Sequence, residues 1–222
     1  LHGSFNSVIQ TDAKYRPTVT RIKHTMRGNW IKMYNKHGIV LRVETVINRP
    51  REFRISRTGQ GKKAVDWFPM PKRVGSMHRY AHICRRANHA YLQALAQVDD
   101  PTEAYRQLDR LCEPQKLASQ RVRPLNPLRE KDQALFKAVV RGEHFIQGFR
   151  ASDLAVRLEI ILPDDPANRK RHAAKLNRKL RLLRGHGLIA KIPHSRRYKI
   201  TDLGMKLMNA AIDLRTSGFP DM

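Results

Sequence analysis

Apolar and polar residues alternate through residues 17–57, the period of strands that bury one face. "PTVTRIKH" alternates, "RGN" turns, "WIKMY" continues, "NKHG" turns again and "IVLRVETVI" resumes the alternation. Gly28 and Gly38 stand where hairpin turns need permissive backbone. In the third strand Ile39, Leu41, Val43 and Ile47 share one face, and Arg42 and Glu44 share the other. "EFRIS" is expected to add a strand, and "RTGQGKK" (57–63) reads as a polar loop. Across 73–97 the period lengthens. Val74, Met77, Ala81, Cys84, Asn88, Tyr91 and Leu95 recur at three and four, the buried seam of a helix. Asp100 as N-cap, Pro101 and Glu103 open a second helix carrying Tyr105, Leu108 and Leu111, which must stop before Pro114.

Pro114, Pro124 and Pro127 then fall among basic residues, so 113–129 reads as a basic linker between a domain at 1–112 and another at 130–222. The second half returns to helical spacing. Lys131–Arg141 forms one helix with Leu135 and Val139 inward. Ser152 or Asp153 caps a short second one through Leu154 and Leu158, and "LPDDP" breaks the chain. A long third helix runs from near Pro166 to the "GHG" of 185–187, where glycine suits a C-cap. "LIAKI", the turn "PHSR" and "RYKIT" make a hairpin, and Asp202 caps a last helix with Leu203, Leu207 and Ala211 inward. The fold class expected is α+β, a small antiparallel sheet with helices followed by a helical domain that ends in a hairpin.

Charge changes the picture. The chain has 44 Lys and Arg against 19 Asp and Glu, a formal charge of +25, and 41% hydrophobic residues, enough for a real core. Such an excess repels itself and attracts polyanions, with nucleic acid the first candidate partner, a membrane surface second and an acidic protein third. No stretch is apolar and long enough to span a bilayer. Two cysteines, Cys84 and Cys112, cannot form a disulfide framework and suit a reducing compartment, so the expected location is cytoplasmic. Neither lies in a CxxC, and no cofactor or metal is expected. The chain begins at Leu1 and shows no signal peptide, so residues preceding it in a longer protein are expected.

Charge and period meet in "HAAKLNRKLRLLRGHGLIAKIPHSRRYKITDLG" (172–204). On a helical wheel Ala173, Leu176, Leu180 and Leu183 form one apolar stripe, with Arg171, Lys175, Arg178 and Arg181 opposite. Between Pro166 and Lys199 there are twelve Arg or Lys and no acid. An ordinary solvated face mixes signs; a face of one sign implies an anionic partner. The order helix, helix, long helix, hairpin, helix resembles a winged-helix DNA-binding domain over residues 130–215, most closely in "GLIAKIPHSRRYKITDLG" with Tyr198, Thr201 and Gly204. That resemblance implies a third helix in the major groove and a hairpin on the backbone. Arg171, Lys175 and Arg178 would then face bases or phosphates, with Lys170 and Arg181 on the same nucleic-acid-binding surface and Arg196 and Arg197 at the wing tip.

The strand region resembles rolling-circle replication initiators in Lys32, Tyr34 and Lys36 set against Arg42 and Glu44, and resembles the C-terminal half of uncharacterised bacterial proteins with a larger N-terminal half. The initiator resemblance implies a tyrosine nucleophile, Tyr34, and a metal held by Glu44 with His24 or His37. The paired histidines of that family are absent. His78, His82 and His89 share a stripe of the middle helix; His89 lies about two turns, roughly 10 Å, from His82, too far to share an ion. Trp30, Trp67 and Phe68 are candidates for stacking on bases or for the core. The function expected is nucleic-acid binding, to duplex DNA ahead of RNA, within a replication, transposition or regulatory machine. A nuclease or strand-transfer enzyme using Tyr34, and an RNA-binding subunit, are the alternatives.

Overall fold

The computed structural model describes residues 9–58, 65–99, 107–158 and 165–218. It is an α+β protein. In chain order come β1 (Ile9–Arg16), β2 (Val19–Met26), β3 (Asn29–Lys36), β4 (Val40–Val46), β5 (Arg54–Thr58), β6 (Val65–Pro69) and helix α1 (Met77–Asp99). Helix α2 (Asp109–Cys112), β7 (Gln115–Leu117), β8 (Gln120–Val122), α3 (Glu130–Val139), α4 (His144–Gln147) and α5 (Ala151–Arg157) follow. The chain ends with α6 (Pro166–Gly185), β9 (Ile189–Lys191), β10 (Tyr198–Ile200) and α7 (Asp202–Gly218). It divides into two compact units, neither contiguous: residues 1–92 with 142–147 and 193–195, and residues 93–141, 148–192 and 196–222.

In the first unit β1 to β4 form an antiparallel sheet in sequence order. Its inner turns, Arg27–Gly28 and His37–Gly38, have positive φ at both positions; the first is a two-residue loop between paired Met26 and Asn29, the second lies in a three-residue loop between paired Lys36 and Val40. Strand β1 was not foreseen, because "IQTDAKYR" is too polar to alternate clearly. Helix α1 packs on the face bearing Met26, Ile31 and Met33. Its Asn88 side chain accepts from Thr45 Oγ1 at 2.7 Å and donates to the Val43 carbonyl at 3.3 Å, fixing helix against edge strand. The expected seam holds in its later half, where Tyr91 is buried, but Val74 is 84% exposed because the helix proper begins only at Met77. The second helix expected from Asp100 falls largely on 100–106, outside the described residues. "EFRIS" does form a strand, β5, and pairs with β6, which carries Trp67 and Phe68.

Residues 142–147 complete this unit. Glu143 is buried and accepts from the Thr11 hydroxyl at 3.2 Å, and Thr11 lies 2.8 Å from His24 Nδ1. His24 Nε2 meets the Tyr91 hydroxyl at 3.0 Å, and burial pushes that phenol up to about 12. Gly142 is a close-approach glycine, since a β-carbon there would overlap the His24 ring. Asn29, fully buried, donates to Gln147 Oε1 at 2.6 Å.

In the second unit α3, α5, α6 and α7 share a core that includes Phe136, Val139, Leu154, Leu180 and Met208. Gln133 on α3 donates to the carbonyls of Pro127 and Ala211, tying α3 to the chain before it and to α7. Helix α5 is capped differently from expectation. Arg150 is its N-cap and Asp153, at the third position, accepts from the Arg150 N–H at 2.8 Å. Helix α6 starts as read: Asp165 accepts from the Asn168 N–H at 3.0 Å, with Pro166 at its first turn. At its far end Gly187 has φ of 70°, and the Leu188 and Gly187 N–H groups donate to Leu183 and Arg184, a Schellman closure. Helix α7 is capped by Thr201, not Asp202: its hydroxyl oxygen accepts from the Gly204 N–H at 2.9 Å. Phe149 pairs with Tyr198 through two backbone hydrogen bonds, adding a one-residue strand beside the β9–β10 hairpin.

Candidate nucleic-acid interface

Helix α6 carries the charge. Leu176, Leu180 and Leu183 are buried on one side, as the wheel requires. Lys170, Arg171, Lys175, Arg178 and Arg181 are exposed on the other. Ala173, placed in the apolar stripe by the wheel, is exposed too. Among the described residues no carboxylate pairs with any of these five cations.

The two arginines expected at the hairpin tip part company. Arg196 is exposed, but Arg197 is 4% exposed and belongs inside the unit. Both residues precede β10, in the bend that leads into it, and only the first faces outward. Arg197 is therefore removed from the exposed cationic set. Its backbone also closes the hairpin, its carbonyl accepting from the Ile192 N–H at 2.9 Å.

The stretch expected to be a linker forms part of this surface. Strands β7 and β8 pair around Ala118, whose φ is 54°, and Val122 and Leu125 are buried. Pro114 and Pro124 bound that hairpin instead of unravelling it. Val122 rests on Gly185, at the last turn of α6, where a β-carbon would overlap its methyl group. This contact explains why Leu182 is buried although it lies on the cationic side of the wheel. Between hairpin and helix lies a cleft of about 280 Å3, lined by Arg121, Val122 and Arg123 from the hairpin side and by Arg178, Lys179, Arg181 and Leu182 from α6. Arg181 donates to Gln120 Oε1 at 2.6 Å. Arg123 makes a two-nitrogen hydrogen-bonded pair with buried Asp132, which also accepts from the Asn126 N–H at 3.1 Å. Burial alone would raise the Asp132 carboxyl. The Arg123 and Asn126 hydrogen bonds and the charges of Arg123 and Arg129 outweigh it and hold the group below the usual carboxylate range. Lys179 is held below the usual lysine range by burial, then by Arg123 and Lys131, against the pull of Asp132. A linker reading of 113–129 could not have found this cleft; the cue was the short polar alternation of "QKLASQRV".

On the sheet, β3 and β4 pair Tyr34 with Arg42 and Lys32 with Glu44, which places all four on one face. The Tyr34 hydroxyl donates to Glu44 Oε1 at 3.3 Å, and Arg42 pairs with Glu44 at 2.9 Å. The two histidines invoked beside Glu44 are not there. His24 lies on the opposite face, in register with Thr11 and Ile31, and His37 sits in the β3–β4 turn. Among the described residues no group of three or more His, Cys, Asp or Glu could hold a metal ion. Trp30 shares the Tyr34 face, with Lys32 Nζ 4.0 Å and Lys23 Nζ 5.3 Å from its ring centroid. Trp67 is stacked on His194 within the first unit, ring centroids 4.9 Å apart. No helix among the described residues is long and apolar enough to cross a membrane. No family model, curated protein or solved structure matches this chain.

Proposed function

We propose that this chain binds nucleic acid, duplex DNA in particular, through the outer face of α6, as part of a replication, transposition or regulatory machine. One observation carries the reading: five exposed cations line a single face of a helix whose opposite face is buried, with no acid on it. The winged-helix reading adds the docking mode. Helices α3, α5 and α6, the β9–β10 hairpin and α7 run in the order helix, helix, long helix, hairpin, helix on which that resemblance rests, with the four-residue α4 between the first two. On this reading α6 enters the major groove and Arg196 touches the backbone.

A salt titration of duplex affinity tests it. Each phosphate contact releases counterions, so removing one lowers the slope of log affinity against log salt by about 0.9. Lys170→Ala with Arg171→Ala should lower that slope by up to about two units, while Lys175→Ala should weaken a selected sequence more than a scrambled one. An unchanged slope in a folded Lys170/Arg171 variant rejects the α6 interface. Equal affinity for structured RNA and duplex DNA would favour the RNA-binding alternative.

The Tyr34–Glu44 hydrogen bond supports a second reading, in which Glu44 takes the proton from Tyr34 as its oxygen attacks a phosphodiester, forming a tyrosyl phosphodiester while the P–O bond to one sugar breaks and that sugar oxygen leaves as a hydroxyl, protonated from solvent. It ranks below the first because Arg42 and Lys32 already engage Glu44, and among the described residues no His, Cys, Asp or Glu cluster able to hold a metal joins it.

A further inference from the structure

We infer that the cleft between the β7–β8 hairpin and α6 is a seat for a phosphate oxyanion. For the origin of that phosphate the inference rests on the nucleic-acid reading. Five cationic side chains converge on one concave site. Arg123 is matched by Asp132 and Arg181 leans on the neutral Gln120 amide. Among the described residues Arg121, Arg178 and Lys179 have no carboxylate at ion-pair distance, and Asp132, already paired with Arg123, acts on Lys179 only from farther off. Holding like charges in a partly buried hollow is unfavourable unless an anion enters it, and guanidinium groups match phosphate oxygens with paired donors.

The site is also built. Arg123 is fixed by its two bonds to Asp132, and the Val122–Gly185 contact holds the hairpin against the helix. Both walls are therefore placed before any ligand arrives, which lowers the ordering cost of binding. One water needs roughly 10–15 Å3 of cavity space, so a cleft of about 280 Å3 has room for a phosphate oxyanion. Burial of Lys179 beside Arg123 points the same way, since an anion in the cleft would favour its charged form. Along α6, Arg178 and Arg181 then serve two surfaces, the outer face and the cleft, and the hairpin becomes a second reader of the backbone.

Two measurements on the full chain test the seat. The first follows melting temperature against added inorganic phosphate, with chloride supplying the same ionic strength as control. The second follows the salt slope of duplex binding. The variants are Arg121→Gln and Lys179→Gln, neither of which touches the Lys170/Arg171/Lys175 face, with helical circular dichroism confirming that each is folded. Phosphate should raise the melting temperature of the wild type beyond chloride, and the variants should lose that rise. Arg121→Gln should also lower the duplex salt slope by about 0.9. A rise with no slope change assigns the seat to free phosphate, and a slope change with no rise assigns it to the nucleic-acid backbone; each supports the oxyanion seat. If phosphate acts no differently from chloride and both variants keep the wild-type slope, the seat is overturned, while the α6 interface stands or falls separately on Lys170→Ala with Arg171→Ala.

Discussion

Gly185 and Val122 meet so closely that no β-carbon fits between them. In a helix an alanine is ordinarily better than a glycine by about 1 kcal/mol. Here the same exchange must push the β7–β8 hairpin away. Gly185→Ala should therefore lower the melting temperature and speed hydrogen exchange across 115–122, leaving α3 and α7 protected. A rise in melting temperature would show that the hairpin does not depend on this contact.

Thr201 and Gly204 form a second tight joint. Thr201 donates to the Gly187 carbonyl at 2.6 Å and receives the Gly204 N–H, and a β-carbon on Gly204 would overlap the Leu188 carbonyl oxygen. Thr201→Ala should cost about 1 kcal/mol, the usual value of a lost N-cap. Gly204→Ala should cost more, because it collides with backbone that cannot rotate away. Chemical denaturation of both variants checks the order.

Acid should unfold the second unit in two stages. His186 donates to the Arg123 carbonyl at 2.9 Å, and burial, with Arg123 nearby, holds its imidazole below the usual histidine range. A histidine lowered in this way binds its proton more tightly when unfolded, so its stability contribution begins to fall below about pH 6.5. Asp132 is also lowered, so it too takes up its proton on unfolding, and its contribution is lost below about pH 4. Asp132→Asn should flatten the lower stage of a stability–pH curve and leave the upper one. A curve unchanged below pH 4 in that variant would show that the Arg123 pair does not govern acid sensitivity.

Incubated with single-stranded DNA and Mg²⁺ or Mn²⁺, the chain alone should neither nick its substrate nor become covalently attached. Tyr34→Phe should leave duplex affinity unchanged. A Tyr34-dependent adduct on a denaturing gel would promote the second reading over the first.

Leu180→Ala separates folding from binding. The side chain is 2% exposed, so truncation should cost about 2–5 kcal/mol and weaken binding only as the folded fraction falls. Loss of affinity at temperatures where the variant is fully folded would place Leu180 at the interface instead.

Much of this was legible in the chain because it rests on local period. The turns at Gly28 and Gly38, the shared face of Arg42 and Glu44, the span of α6 and the β9–β10 hairpin all follow from spacing of neighbours. What escaped the sequence depends on distant partners. Strand β1 is polar and is a strand because β2 pairs with it. Leu182 is buried by a hairpin about 60 residues earlier, read as linker because prolines flank it. Arg197 and Arg196 look alike in sequence, and only burial in the folded unit separates them. His24 is a metal-ligand candidate by residue type, yet its register with Thr11 points it toward Tyr91 and Glu143.

The return of residues 142–147 to the first unit sets an order for the chain's birth on the ribosome. Strands β1 to β4 emerge early, but Asn29 and Thr11 must wait for Gln147 and Glu143, which leave the exit tunnel only after α3 has been made. Until then the nascent sheet carries unfilled polar sites on its inner face. The first unit thus cannot finish until residues 142–147 have emerged, and a gene cut between α1 and α3 would leave Asn29 and Thr11 without these two partners.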